Sequence, residues 1–160
     1  MVANEVAKNW ILLNNEIMIK HEDEFSLHKD KEAVRAYFLE YVNKNTVFFY
    51  TLNEKIDYLI EQNYYINFYE WFTYEEMETV YNFVFAKKFR FASFMAAFKF
   101  FQSYALRDDS GEKFLERYED RVVAVALFLA RQEGVEKAIA YAELFINQEY
   151  QPATPTFLNA

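Results

Sequence analysis

Cysteine is absent from the 160 residues. Disulfides, thiolate metal sites and thiol nucleophiles are therefore excluded, a composition that fits a cytoplasmic protein. Glycine and proline are almost missing too: Gly111 and Gly134 are the only glycines, and Pro152 and Pro155 fall in the last ten residues. Almost nothing between residues 28 and 150 then interrupts a helix. Positive charge is scarce, with 17 basic against 25 acidic residues and a net charge of −8. The closest approach to a basic patch is Lys87, Lys88 and Arg90 at the end of a predicted helix, where cations complement the helix dipole, so no nucleic-acid partner is expected. Histidine occurs only as His21 and His28, and neither follows a glutamate by three positions, which excludes the Glu-x-x-His ligand pairs of metal-binding helical bundles. His21 with Glu22, Asp23 and Glu24 reads as solvated surface rather than a cation site, and no metal site is expected in this chain. No apolar run approaches the roughly 20 residues of a membrane span, and the start lacks a signal-peptide pattern, so no membrane association is expected.

Apolar and aromatic residues are plentiful. The chain is 53% hydrophobic and 21% aromatic, ample for a core, and its thirteen tyrosines and eighteen phenylalanines suggest a surface covered by a partner. Helical periodicity is strongest over 30–43, where Val34, Tyr37, Phe38, Tyr41 and Val42 share a stripe and Asp30 is placed to cap. Leu52, Ile56, Leu59 and Ile60 form a second stripe. Thr73 with Glu76 reads as a capping box opening a third helix. A fourth helix carries Phe94, Met95, Phe98, Phe101 and Ala105 on one face and ends before the turn RDDSGE. The spacing predicts a fifth over 112–131, whose VVAVALFLA is apolar nearly all round and marks the central helix, and a sixth past Gly134 with Val135, Ile139, Ala142, Phe145 and Ile146 inward. The expectation is an all-α fold of five to six helices, with WILLNNEIMI as an extended arm and QPATPTFLNA as a proline-stiffened loop.

Few residues carry chemistry. ERYEDR, Glu116 to Arg121, is the densest charge cluster beside an apolar run, but Arg117 and Asp120 at i, i+3 read as a surface pair. The chain contains no glycine-rich phosphate loop and no Ser/His/Asp arrangement.

Collinear blocks supply what motifs do not: LNNEIMI ending at Ile19, DKEAVRAYFLEYVNKNTVFF (30–49), LNEKIDYLIEQNYY (52–65), AKKFRFASFMAAFKF (86–100), LERYEDRV (115–122), ALFLA (126–130) and NQEYQPATPTFLNA (147–160). Over its full length the chain resembles the N-terminal part of the large (alpha) subunit of class Ib ribonucleotide reductase. The resemblance implies a shortened ATP-cone-like region over 1–50, a helical domain over 51–150 flanking a ten-stranded α/β barrel, and over 151–160 the start of a substrate-binding loop leading into that barrel. It implies that Thr154, and with it Thr156, contacts a ribonucleoside diphosphate. The cysteines of thiyl-radical reduction would then lie in the C-terminal catalytic part of the alpha subunit, leaving no catalytic residue in this chain and no turnover by it alone.

The same resemblance implies a radical-generating beta subunit as partner, bearing a dimanganese or diiron tyrosyl-radical centre, with no cofactor bound by this chain. It also points to a nucleotide site in the cone remnant, for which Asn43, Asn45, Phe48, Phe49 and Tyr50 are the candidates, with amides and rings suited to a base. Relatives often carry His where Tyr50 stands, and Pro where Ala92 stands. An alternative role is a stand-alone nucleotide-sensing or regulatory module derived from this region.

Overall fold

The computed structural model describes residues 25–153 and Phe157, with side chains described from Asp30 onward. Among the described residues six α-helices run α1 (Phe25–Tyr37), α2 (Leu52–Glu61), α3 (Tyr74–Ala86), α4 (Phe94–Ser103), α5 (Tyr118–Ala130) and α6 (Val135–Ile146). Among the described residues the only β pairing is two isolated bridges, from Phe114 to Thr46 and to Arg107. The all-α expectation holds. WILLNNEIMI, the first cone-like residues, His21, the side chain of His28, Thr154 and Thr156 lie outside the residues described.

The chain forms two compact units, one from 1–46 with 90–115 and one from 47–89 with 116–160. In the first unit, α1 is already helical at Phe25, ahead of the expected position, and continues into a π-helical turn, Phe38–Val42, and a 3-10 turn, Asn43–Asn45. Asp30 is therefore mid-helix rather than a cap. Its Oδ1 accepts instead from the N–H of Phe94 at 2.9 Å, supporting the first turn of α4, where Ser93 caps Ala96. The core is a cluster of rings. Tyr37 is fully buried and meets Phe94, Phe98 and Phe101 at 5.7, 5.8 and 6.3 Å, while Phe101 meets Phe38 at 5.4 Å and Phe114 at 5.1 Å, mostly edge to face as ring quadrupoles favour. The inward face of α4 differs from the expected one. Phe94, Ala97, Phe100 and Phe101 are buried, Met95 is 55% exposed, and Ala105 lies past the helix end.

The segment 106–115 belongs to this unit and is not helical. Asp108 accepts from Ser110 and from the N–H groups of Glu112 and Lys113, Gly111 takes a positive φ of 72°, and Arg107 covers the Phe114 ring at 4.6 Å. Phe114 N–H donates to Asn45 O at 2.7 Å and Leu115 N–H to Leu106 O at 2.9 Å, so residues 112–115 spend their backbone groups on these pairings. This delays the helix expected from 112 until Tyr118, after Arg117 has taken an extended conformation.

In the second unit α5 is central. Every side chain from Asp120 to Leu127, and Ala130, is buried, with α3 and α6 packed against it. Ala124, Ala126 and Ala130 on α5 and Ala138 and Ala142 on α6 are all fully buried, and small side chains at a helix contact let the axes approach closely. Gly134 opens α6 at φ 91°, a conformation that carries a steric cost with any Cβ. The capping box stands as expected: Thr73 Oγ1 accepts from Glu76 N–H at 3.2 Å and Glu76 accepts from Thr73 N–H at 2.9 Å. Thr73→Ala should lower stability by about 1 kcal/mol, read as a reduced urea midpoint with an unchanged slope.

Candidate functional site

Thr154 and Thr156 lie outside the described residues, and of their neighbours Pro152, Ala153 and Phe157 are described. Pro152 is buried, Phe157 is 8% exposed, and the Phe157 N–H donates to Ala153 O at 3.1 Å. The Phe157 ring lies 6.2 Å from Tyr118, the first residue of α5, and Tyr118 stacks on Phe89 at 4.3 Å with 26° between planes. Burial raises the Tyr118 phenol above its ordinary pKa, partly offset by a hydrogen bond with Gln148. Ring packing thus places Phe157 against the start of α5 within the second unit.

The five candidate nucleotide-site residues divide between the two units. In the first, Asn43 is exposed and the Asn45 side-chain amide donates to Tyr41 O at 2.8 Å, which commits its N–H₂ group to the backbone. In the second, Phe49 packs near Tyr58 at 5.4 Å, while Phe48 and Tyr50 are 76% and 86% exposed and meet edge to face at 5.2 Å. Tyr50 N–H donates to the Glu54 carboxylate and Thr51 caps α2, so the exposed pair stands on a fixed base.

A polar cluster that the sequence reading placed on the surface is instead buried. Glu116, Asp120 and Arg121 are 0%, 2% and 3% exposed. Arg121 forms an ion pair with Glu116, donating through Nε to Oε1 at 2.6 Å, and Tyr65 donates to the other Glu116 oxygen at 2.7 Å. Asp120 pairs with Lys55 at 2.7 Å and accepts the Arg117 N–H at 2.7 Å. Arg117 is exposed, so the expected surface pair gives way to a backbone cap.

Burial, reinforced by the Glu116 charge, pushes the Tyr65 hydroxyl well above the phenol range, and burial with the Asp120 charge does the same to Tyr81. Desolvation, the largest single influence, would lower the Arg121 pKa, but the charge and hydrogen bond of Glu116 together with Tyr65 and Tyr81 raise it. With both Glu116 oxygens occupied, the cluster is a scaffold rather than a poised acid or base. The available signal was the position of Glu116, Asp120 and Arg121 directly beside VVAVALFLA, which carries whatever shares its face into the interior. Among the described residues no group of three His, Asp or Glu side chains is placed to hold a metal, and no helix is long and apolar enough to cross a membrane.

Residues 10–89 match the family model "Ribonucleotide reductase N-terminal", and 90–160 match "Ribonucleotide reductase, all-alpha domain". The chain belongs to the ribonucleotide reductase family. It is 55% identical over 161 aligned residues to the ribonucleoside-diphosphate reductase subunit alpha of Bacillus subtilis, covering 100% of this chain and 23% of that protein. It is 53% identical over 153 residues to the nrdEB subunit alpha of Bacillus phage SPbeta, covering 95% of this chain and 14% of the relative. With the subunit alpha of Mycoplasma pneumoniae it shares 39% over 159 residues, or 99% of the chain and 21% of the relative. The chain thus spans under a quarter of these reductase subunits, in their N-terminal region, and α4, α5 and α6 lie in the stretch that matches the reductase all-alpha domain.

Proposed function

We propose that this chain supplies the helical N-terminal part of a class Ib ribonucleoside-diphosphate reductase alpha subunit, and that ribonucleoside diphosphates are reduced to deoxyribonucleotides once a cysteine-bearing barrel completes it. The observation that carries the reading is the 55% identity across the whole chain, in a sequence that contains no cysteine. Thiyl chemistry needs a thiol, so the reacting sulfur must come from the barrel. The role left to this chain is to hold and present substrate. Thr154 and Thr156 offer hydroxyl donors to a diphosphate, and Pro152 and Pro155 reduce the entropy lost when the segment orders around it. The radical would come from a beta subunit with a dimanganese or diiron tyrosyl-radical centre. The setting is the cytoplasmic synthesis of DNA precursors.

In the test, the chain is recovered from its native source and its companions are identified by mass spectrometry. Cytidine diphosphate reduction is then assayed for the chain alone and for the chain with a barrel polypeptide and the small subunit. Reduction is expected only where a cysteine-bearing barrel is present, whether joined to this chain or supplied with it, and no reduction in the complete mixture would overturn the reading. A second reading, nucleotide sensing by the cone remnant, draws on the exposed Phe48–Tyr50 pair. It predicts that dAMP or dATP binds the chain alone and that binding is lost in Tyr50→Ala.

A further inference from the structure

We propose that the turn between α2 and α3 is a docking face for a basic polypeptide segment outside this chain, one that sets arginine or lysine beside apolar side chains. The 3-10 stretch Phe68–Glu70 and the two residues after it split sharply by burial. Phe68 and Phe72 are 2% and 3% exposed, whereas Tyr69 and Trp71 are each 39% exposed, with Ile66 at 37%. The two phenylalanines already fix the turn to the core. The Asn67 side chain accepts from Tyr69 N–H at 3.2 Å, and Phe68 O accepts from the N–H groups of Trp71 and Phe72 at 3.0 Å. The outward rings therefore stand on a fixed base, and little entropy is lost when they meet a partner. Large apolar side chains grouped at a surface mark an interaction site, and aromatic residues are enriched in the cores of such sites.

Charge names the occupant. Of the net −8, the second unit carries −7, and between Tyr50 and Thr79 seven acidic residues stand against one cation, Lys55. The Lys55 ammonium is directed at the buried Asp120, 2.7 Å away, and among the described residues no lysine or arginine pairs with any of the seven carboxylates. Several of these carboxylates close around the rings. Asp57 accepts the Tyr69 hydroxyl at 2.7 Å, and Glu78 accepts the Tyr74 hydroxyl at 3.0 Å. Burial, then Asp57, raises the Tyr69 phenol to about 12, and burial, then Glu78, Glu75 and Asp57, raises that of Tyr74. Both rings stay neutral and keep the electron-rich face that attracts a cation. An arginine brought here gains a carboxylate and an aromatic face together, while a nucleic acid or an anionic membrane meets repulsion.

The test uses the 160-residue chain, isotope-labelled for NMR, with three probes: a synthetic peptide of arginine and leucine, its counterpart with glutamate in place of arginine, and phosphatidylglycerol vesicles. The arginine peptide is expected to shift the amides of residues 66–78, with a Kd about tenfold weaker at ~0.5 M than at ~0.05 M salt, and the other two probes to leave them unmoved. Glu70→Gln with Glu75→Gln, and separately Trp71→Ser, should each weaken binding about fivefold. Glu136→Gln with Glu149→Gln removes the same charge from exposed positions at and beyond α6, and should change Kd less than about twofold. Equal weakening by the two glutamate pairs would reduce the effect to net charge and overturn the proposal. So would an unmoved Kd in Trp71→Ser, no binding of the arginine peptide, binding of the glutamate peptide or the vesicles, or self-association of the chain through the same amides. The amide spectrum of each variant reports its fold, and should Trp71→Ser not fold, Ile66→Ser is held to the same outcomes.

Discussion

Glu116→Ala is expected to lower stability by about 3–5 kcal/mol, the range for removing one partner of a buried ion pair. Arg121 is 3% exposed and would keep its charge with no carboxylate to meet it, and Tyr65 would lose its acceptor in the same step. Urea unfolding followed by circular dichroism measures the loss. Tyr65→Phe should cost about 1–3 kcal/mol, since a hydrogen bond to a charged group is removed while the ion pair survives. Replacing both charges together, Glu116→Leu with Arg121→Met, should recover most of the loss, because the chief penalty is an uncompensated charge rather than the absence of an attractive pair. A Glu116→Ala protein with an unchanged midpoint would mean that water reaches the guanidinium and that the cluster is not dry.

Phe101→Ala is expected to cost a similar amount, about 3–5 kcal/mol, the range for deleting a buried aromatic ring. Phe101 is 1% exposed and touches Phe38, Phe91, Phe100 and Phe114, so its loss opens a cavity bordered by rings too stiff to collapse into it. The same substitution removes the packing beneath Phe114, whose amide reaches Asn45 O. Faster hydrogen exchange at Phe114 should accompany the fall in midpoint. A cost under about 1 kcal/mol would fit a surface ring and would refute the placement of this core.

What could be read from the sequence was local. The Thr73–Glu76 capping box involves partners three residues apart, and the burial of α5 follows from VVAVALFLA being apolar on every side. Where the reading missed, the deciding partner lay far along the chain. Asp30 has the right chemistry for a cap, but the amide it serves belongs to Phe94, 64 residues away. ERYEDR satisfies an i, i+3 pairing rule, yet Tyr65, 51 residues from Glu116, draws that carboxylate inside. In α4 the run FMAAFKFF is apolar at nearly every position, so periodicity alone leaves the inward arc open. Contact with Tyr37 and Phe114 draws Phe94 and Phe101 inward, and Ala97 and Phe100 are buried with them.

By itself the sequence determined the helical class and the family, because both are written in short-range spacing and in collinear blocks of residues. Tertiary structure alone decided which charges are dry, which helix starts are delayed by backbone pairing, and which ring meets Phe157. Those outcomes depend on desolvation and on contacts between distant residues, and neither is encoded in the order of neighbours along a chain.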